Sequence, residues 1–291
     1  MKKEPEFQGQ HRISQVYLKK FGYEQNGVWM LSVMKLGTKI TENVKIAEFT
    51  VEENIFDLPF KDFELRRHFE NTSGILENDY NKLINNIRYQ KRLTSIDKDL
   101  LNNFIPNVLC RTSHFRLFIN HLIENIDTRK KLLKEITIFQ EDNRQTEFLL
   151  DILKPETHLN IVIGTLMNHL VYVFRHFKKV LLKSPENFGW LTSDNPVFID
   201  FQDKNEWIIP IEAEIYFPLS KDYCVFLYCE ESELNSNPLR NLKKDKVNNI
   251  DFKTFDGLAN RIARNLDQYL VFSKQNEPTI IQEYKADYNN I

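Results

Sequence analysis

The chain has 291 residues, of which 42% are hydrophobic and 27% are charged, and its formal net charge at pH 7 is -2. This composition is typical of a globular protein and argues against a disordered, collagen-like or membrane-spanning chain. Because proteins that bind nucleic acid over a broad surface are usually basic, the near-neutral charge confines any such contact to a local patch.

The cysteine content and the N-terminal residues bear on cellular location. The three cysteines cannot all pair with one another, which favours a reducing cytoplasm. Residues 1–10 carry charges without an apolar run behind them, so no signal peptide is expected. The longest apolar run, residues 223–229, is far shorter than the roughly 20 residues of a membrane helix. The sequence therefore predicts a cytoplasmic protein that does not enter a membrane.

In the first two thirds of the chain, the predicted elements begin with two short strands within residues 27–50. From residue 62 to residue 148, apolar residues recur at three- and four-residue steps, which indicates helices. Pro106 is expected to kink or restart one of these helices. Thr157 is a candidate N-cap for a further helix whose apolar stripe ends near Pro185.

Beyond Pro185 the pattern changes to short strands separated by Pro, Asp and Asn. These strands are predicted at residues 188–191, 197–201, 207–211, 215–217 and 223–229. A last helix is predicted at residues 252–265, and a strand at residues 268–273.

Strands at both ends and helices between them predict an α+β fold, with a mixed sheet built from N- and C-terminal strands. No segment has the composition of a linker. The prediction is therefore a single domain of residues 1–291, strand-rich at 1–60 and 185–291, with a helical insertion at 61–183.

The first candidate for chemistry is the segment at residues 11–21. Ser14 can cap a short helix in which Tyr17 and Phe21 face the core one turn apart. His11 would then precede the helix N-terminus, where it can donate to a phosphate, act as a base or bind a metal. The alternative is a histidine that is hydrogen-bonded to the backbone and has only a structural role.

The second candidate is the run Thr192, Ser193, Asp194 and Asn195, followed by a proline. An aspartate in such a loop could coordinate Mg²⁺ or Mn²⁺, or act as a base or nucleophile. The alternative is an Asx-turn, in which Asp194 or Asn195 accepts hydrogen bonds from nearby backbone N–H groups.

Two cationic features complete the candidates. Arg111, followed by Thr112, could clamp a phosphate or carboxylate with two parallel hydrogen bonds, or it could form a structural ion pair. A basic patch of residues 175–179 and Lys183 could attract a nucleic acid or nucleotide, or it could simply complement the dipole of the preceding helix.

Together these segments resemble a bacterial family known as domain of unknown function 4238. The shared patterns occur in the same order and are matched here by His11, Ser14, Gln15, Tyr17, Leu18 and Phe21, then Arg111 and Thr112, then residues 192–197, then Pro218, Leu219 and Ser220, and more weakly by Asn260, Tyr269 and Phe272. The resemblance implies that the histidine, the arginine and the Asp-Asn loop form one site, but it implies no reaction.

The first functional hypothesis is a hydrolase acting on a phosphate-containing substrate. Its most specific form is a metal-dependent nuclease. Asp194 would hold Mg²⁺ or Mn²⁺, with Ser193 or Asn195 beside it. His11 would activate water or protonate the leaving oxygen, and Gln15 would orient His11 or the substrate.

In the same hypothesis Arg111 and Thr112 would bind the substrate, and Arg111 would stabilise the charge gathering on the phosphoryl oxygens. The alternative is a non-catalytic module that binds a ligand or a protein. In that case His11, Arg111 and Asp194 form a structural polar network.

Overall fold

The computed structural model describes residues 8–38, 40–137, 152–200, 209–210, 212–232 and 236–272. The helices in these ranges are α1 (Gln15–Leu18), α2 (Phe63–Arg66), α3 (His68–Gln90), α4 (Ser95–Arg111), α5 (Ser113–Glu124), α6 (Ile126–Thr137), α7 (Leu159–His176) and α8 (Phe252–Ala263), with a 3-10 helix at Pro238–Asn241. The strands are β1 (Gly9–His11), β2 (Tyr23–Gln25), β3 (Val28–Lys35), β4 (Thr41–Lys45), β5 (Val51–Glu53), β6 (Lys178–Lys183), β7 (Thr192–Ser193), β8 (Phe198–Asp200), β9 (Glu214–Pro218), β10 (Tyr223–Tyr228), β11 (Val247–Asn249) and β12 (Tyr269–Phe272).

The first of two five-stranded sheets combines strands from both ends of the chain. Its central strand β3 pairs antiparallel with β2, β4 and β12, and β12 in turn pairs with β7. The predicted strand pair within residues 27–50 is β3 and β4. This sheet confirms the predicted α+β class and the contribution of both termini.

The second five-stranded sheet has the order β11-β6-β10-β9-β8 and comes entirely from the later part of the chain. Its β6 strand corrects the prediction that the helix before Pro185 continues to that proline. The helix α7 ends at His176, and residues 180–182 are buried in the strand that follows. Periodicity cannot separate a helix from a short strand that is buried on both faces.

Other local predictions also need correction. The helix α4 does not restart at Pro106 but runs through it, with core residues on both sides of the proline, so of the two expected effects the restart is wrong. The N-cap of α7 is His158 rather than Thr157. Residues 188–191 form no strand, and the Trp190 ring lies 4.8 Å from that of Phe255 on α8. Residues 138–148 and most of 207–211 lie outside the described residues.

An aromatic cluster joins the helical middle to the sheets. The Tyr17 ring of α1 stacks 5.1 Å from Phe217 on β9, and its hydroxyl lies 2.6 Å from the Thr192 hydroxyl of β7. On α3 and α4, the rings of Tyr80 and Phe104 stack at 4.4 Å. Burial raises the pKa of both tyrosines, so their hydroxyls stay protonated and act as hydrogen-bonding groups.

Within the described ranges, no helix is long and apolar enough to cross a membrane. The cysteines Cys110, Cys224 and Cys229 are all buried and free. Burial raises the pKa of the Cys110 and Cys224 thiols, which keeps both of them in the unreactive protonated form.

We expect Tyr80→Phe to destabilise the protein, because the buried Tyr80 hydroxyl donates to the Leu219 carbonyl at 2.6 Å. Its loss leaves that carbonyl without its donor, at a cost of about 1–3 kcal/mol in the free energy of unfolding. Urea denaturation measures the change. Tyr89→Phe is the matched control, since Tyr89 lies on the same helix and is 79% exposed. Equal midpoints for the two variants would contradict the prediction.

Candidate functional site

The histidine at the start of the chain lies at the end of a strand. β1 pairs with β5, with His11 opposite Val51, and the Arg12 N–H then donates to the Thr50 carbonyl at 3.0 Å. Ser14 occupies the predicted N-cap position of α1, but its side chain makes no capping bond. His11 is therefore fixed by sheet pairing as well as by the short helix that follows it.

The His11 imidazole is half-buried, and its Nε2 atom has two neighbours. The Ala47 carbonyl oxygen and the Gln15 side-chain nitrogen each lie 3.1 Å from Nε2. Donation to Ala47 requires a proton on Nε2, which leaves the lone pair on Nδ1. Burial lowers the pKa of His11, and the positive charge of Arg111 lowers it further. A neutral ring of this kind can accept a proton at neutral pH.

Arg111 ends α4 beneath this histidine and is only 2% exposed. Its Nη2 atom donates to the His11 carbonyl oxygen and lies 3.1 Å from a Glu70 carboxylate oxygen. The guanidinium carbon is 4.3 Å from the centre of the Phe56 ring. Within the described residues, Nε and Nη1 have no hydrogen-bond partner. The buried cation is therefore only partly satisfied by the protein.

Two carboxylates missing from the sequence-based candidates face Arg111. Glu70 and Glu77 lie two turns apart on α3, and both negative charges raise the pKa of Arg111 against the larger lowering by burial. Burial raises the pKa of Glu77, opposed by Arg111 and by the nearby Ser14 hydroxyl. The seven-residue spacing indicates a shared helix face, but which arginine that face meets depends on the packing of α3 against α4.

A second buried arginine lies beside the same aromatic ring. The Arg116 guanidinium is 5.3 Å from the centre of the Phe56 ring and donates to the Asn160 side-chain oxygen at 2.7 Å. Burial lowers the pKa of Arg116 to about 10, and the positive charges of Arg12 and Arg111 also lower it. The region around His11 therefore carries concentrated positive charge in addition to the two carboxylates.

Asp194 has a different environment. Its carboxylate accepts backbone N–H groups from Asp267 at 2.9 Å, Gln268 at 2.8 Å and Tyr269 at 3.1 Å. Burial raises the pKa of Asp194, and these three bonds oppose the rise. Carboxylate oxygens that face N–H donors are poorly placed to bind a cation. The three donors come from a distant segment, so this arrangement is not an Asx-turn, whose donors would be neighbouring backbone N–H groups.

The residues beside Asp194 also bond to the segment just before β12. The Ser193 hydroxyl donates to the Asn265 carbonyl at 2.8 Å and accepts the Asn195 N–H at 3.0 Å. The Asn265 amide nitrogen donates to the Asn195 carbonyl at 2.8 Å. Thr112 has a comparable local role, because its hydroxyl accepts the Phe115 N–H at 3.3 Å and so caps α5. Each of these side chains holds backbone in place.

The structure thus brings His11, Gln15 and Arg111 together and places Asp194 in a separate set of contacts. Among the described residues, no hydrogen bond or ion pair joins Asp194 to His11 or Arg111. In the same ranges, no group of three His, Cys, Asp or Glu side chains could hold a metal ion.

The predicted basic patch at residues 175–179 and Lys183 is only partly a cationic surface. Lys179 is buried and donates to the carbonyls of Phe174 and Phe177 at 3.0 Å and 2.9 Å, so it caps the end of α7. Lys178 forms an ion pair with Glu230 at 3.1 Å. Lys179 therefore acts as a cation at the C-terminal end of the preceding helix, which is the structural alternative for this residue.

We expect Asp194→Asn to destabilise the fold, because an amide nitrogen would replace an oxygen that now accepts a backbone N–H. Each bond lost to the charged group costs about 1–3 kcal/mol in the free energy of unfolding. Thermal melting measures the loss, with the exposed Asp99→Asn as control. A wild-type melting temperature that Mg²⁺ or Mn²⁺ raises, but only while Asp194 is intact, would show instead that this carboxylate binds a cation.

Comparison with curated proteins and with solved structures finds no significant match. A family profile described as protein of unknown function DUF4238 matches residues 9–276. The matched region includes His11, Arg111 and the loop at Asp194, and it covers nearly the whole chain. The chain therefore belongs to the DUF4238 family.

Proposed function

We propose that this protein is a hydrolase of phosphate-containing substrates and that its reacting group is His11 rather than Asp194. The observation that carries the proposal is the His11 ring itself. It is half-buried, its pKa is lowered, and its Nε2 atom faces the Ala47 carbonyl oxygen. Donation from Nε2 to the Ala47 carbonyl leaves a lone pair on Nδ1, which can receive a proton from water.

In this mechanism the Nδ1 atom of His11 removes a proton from a water molecule as the water oxygen attacks phosphorus. The phosphorus–leaving-group bond breaks, and the protonated ring can return the proton to the departing oxygen. The Gln15 side-chain nitrogen lies 3.1 Å from Nε2 and flanks the ring at the start of α1. Arg111 supplies positive charge next to the ring; its Nε and Nη1 atoms are buried, so Arg111 would act on a phosphoryl group through its charge.

The metal-dependent nuclease is the narrower version of this proposal. The surroundings of Asp194 do not fit a divalent cation, because three backbone N–H groups already point at its carboxylate. No step is therefore assigned to Mg²⁺ or Mn²⁺. Comparing activity with either ion and with EDTA decides whether a metal takes part, and nucleic acids and nucleotides are among the substrates to be compared.

A non-catalytic binding module is the second candidate, and one observation favours it. The Nη2 atom of Arg111 contacts the His11 carbonyl oxygen and the Glu70 carboxylate, and these contacts hold α4 against β1 and α3. A satisfied buried network can fix how helices pack on strands. In that case the polar residues serve the fold, and the imidazole has no reaction to perform.

We expect the wild type to hydrolyse at least one of bis-para-nitrophenyl phosphate, ATP, single-stranded RNA and single-stranded DNA. His11→Gln should lower that rate by at least 100-fold, since general-base catalysis contributes about 10²–10⁴. Its melting temperature should stay close to that of the wild type, because the ring has few contacts. His121→Gln is the control, at a histidine whose side chain is 86% exposed. No cleavage by the wild type, or full activity of His11→Gln, would favour the non-catalytic module.

The same mechanism predicts a particular pH dependence. The base works only in its neutral form, so kcat/KM should fall as the pH drops through the pKa of His11. Burial and the charge of Arg111 hold that pKa below its ordinary value of 6.5. The acid limb of the pH profile should therefore have its midpoint below 6.5, and activity should be flat near neutrality. A midpoint at or above 6.5 would exclude His11 as the base.

A further inference from the structure

A cationic cavity lies away from the contacts of His11. It has a volume of about 640 Å³ and is found where the end of α3 meets the segment that leads into β11. Its lining residues are Gln90, Lys91, Arg92, Lys243, Lys246 and Val247. Four of these six are cationic, none is acidic, and only Val247 is apolar.

The cations of this cavity have no ion-pair partner in the part of the chain that the structure describes. Among the described residues, none of the four forms an ion pair, and Lys91 only approaches the Tyr223 hydroxyl at 3.4 Å. The nearest carboxylate along the chain, Asp245, is paired with Lys98 at 2.8 Å. All four cationic residues are exposed to solvent. A concentration of positive charge therefore persists on a chain whose formal net charge is -2.

The backbone holds these charges in place. The Leu93 N–H donates to the Asp245 carbonyl at 2.8 Å, and the Val247 N–H donates to the Lys91 carbonyl at 3.0 Å. These bonds set Arg92 directly opposite Lys246 in an antiparallel bridge. Like charges that face each other across paired strands are destabilising. An anion bound between them would relieve that repulsion.

We propose that this cavity binds the phosphate backbone of a nucleic acid. Four of the six residues that line this cavity are solvent-exposed cations, and none is acidic. Such a lining suits a chain of phosphates, whose binding is driven by the release of condensed counterions and needs no base contacts. The site is distinct from the residues proposed for hydrolysis, and binding here does not depend on catalysis at His11.

Fluorescence anisotropy with a labelled 20-nucleotide single-stranded RNA, in EDTA, tests the proposal. The triple variant Lys91→Glu, Lys243→Glu and Lys246→Glu should bind at least tenfold more weakly than the wild type. Its plot of log K against log salt concentration should be shallower by about 2, since each phosphate contact on a single strand contributes about 0.7. The matched control is Lys35→Glu, Lys61→Glu and Lys253→Glu, which changes the net charge equally at exposed residues outside the cavity lining. This control should bind nearly as the wild type does.

Three results would overturn the proposal. In the first, the wild type does not bind the RNA. In the second, both triple variants lose RNA affinity equally. In the third, the cavity binds inorganic tripolyphosphate but the RNA does not compete with it. Circular dichroism confirms folding, and the single variant Lys243→Glu replaces the triple one if that variant is unfolded. Because the readout is binding in EDTA, an inactive but RNA-binding protein would refute the hydrolase and leave this site standing.

Discussion

Three buried arginines packed around one short loop fix the helical middle of the chain to its N-terminal strands. Arg67 donates to Asp57 at 2.5 Å, Arg116 donates to Asn160, and Arg111 stacks on Phe56. Burying a guanidinium costs several kcal/mol unless acceptors are already in position. The loop at residues 54–57 provides or holds those acceptors, so its conformation determines how β1 and β5 meet α3, α4, α5 and α7.

This constraint also explains why a structural and a catalytic role cannot be separated at Arg111. The same guanidinium that would attract a phosphoryl group holds the His11 carbonyl, so replacing it disturbs strand and site together. The imidazole of His11 is different, because its contacts are with the backbone of Ala47 and Ile46 and with the Gln15 side chain. The chemistry of the site can be tested at the ring without disturbing the core. That is also why the proposal depends on His11 more than on the better buried residues.

The elements and contacts that could be predicted are those with a local cause. The helix α8 has a strong amphipathic pattern and an Asp251 cap, and Gln15 is only four residues along the chain from His11. The strand β6 could not be separated from a helix, since a short run buried on both faces has no distinctive period. The approach of Glu70 to Arg111, and the three N–H donors around Asp194, depend on tertiary packing. The spacing of residues along the sequence does not predict those contacts.

The sequence alone also does not predict where positive charge lies on the surface of the folded protein. The run at residues 175–179 is conspicuous in the sequence, but its Lys179 turns inward to cap a helix and its Lys178 is neutralised by Glu230. The cavity at the end of α3 collects its cations from two segments far apart in the chain, which the bridge between Arg92 and Lys246 brings together. A cationic surface is thus set by which lysines and arginines remain unpaired after folding. This cavity lies where a helix end meets the edge strand of a sheet, and the net charge of the chain gives no sign of it.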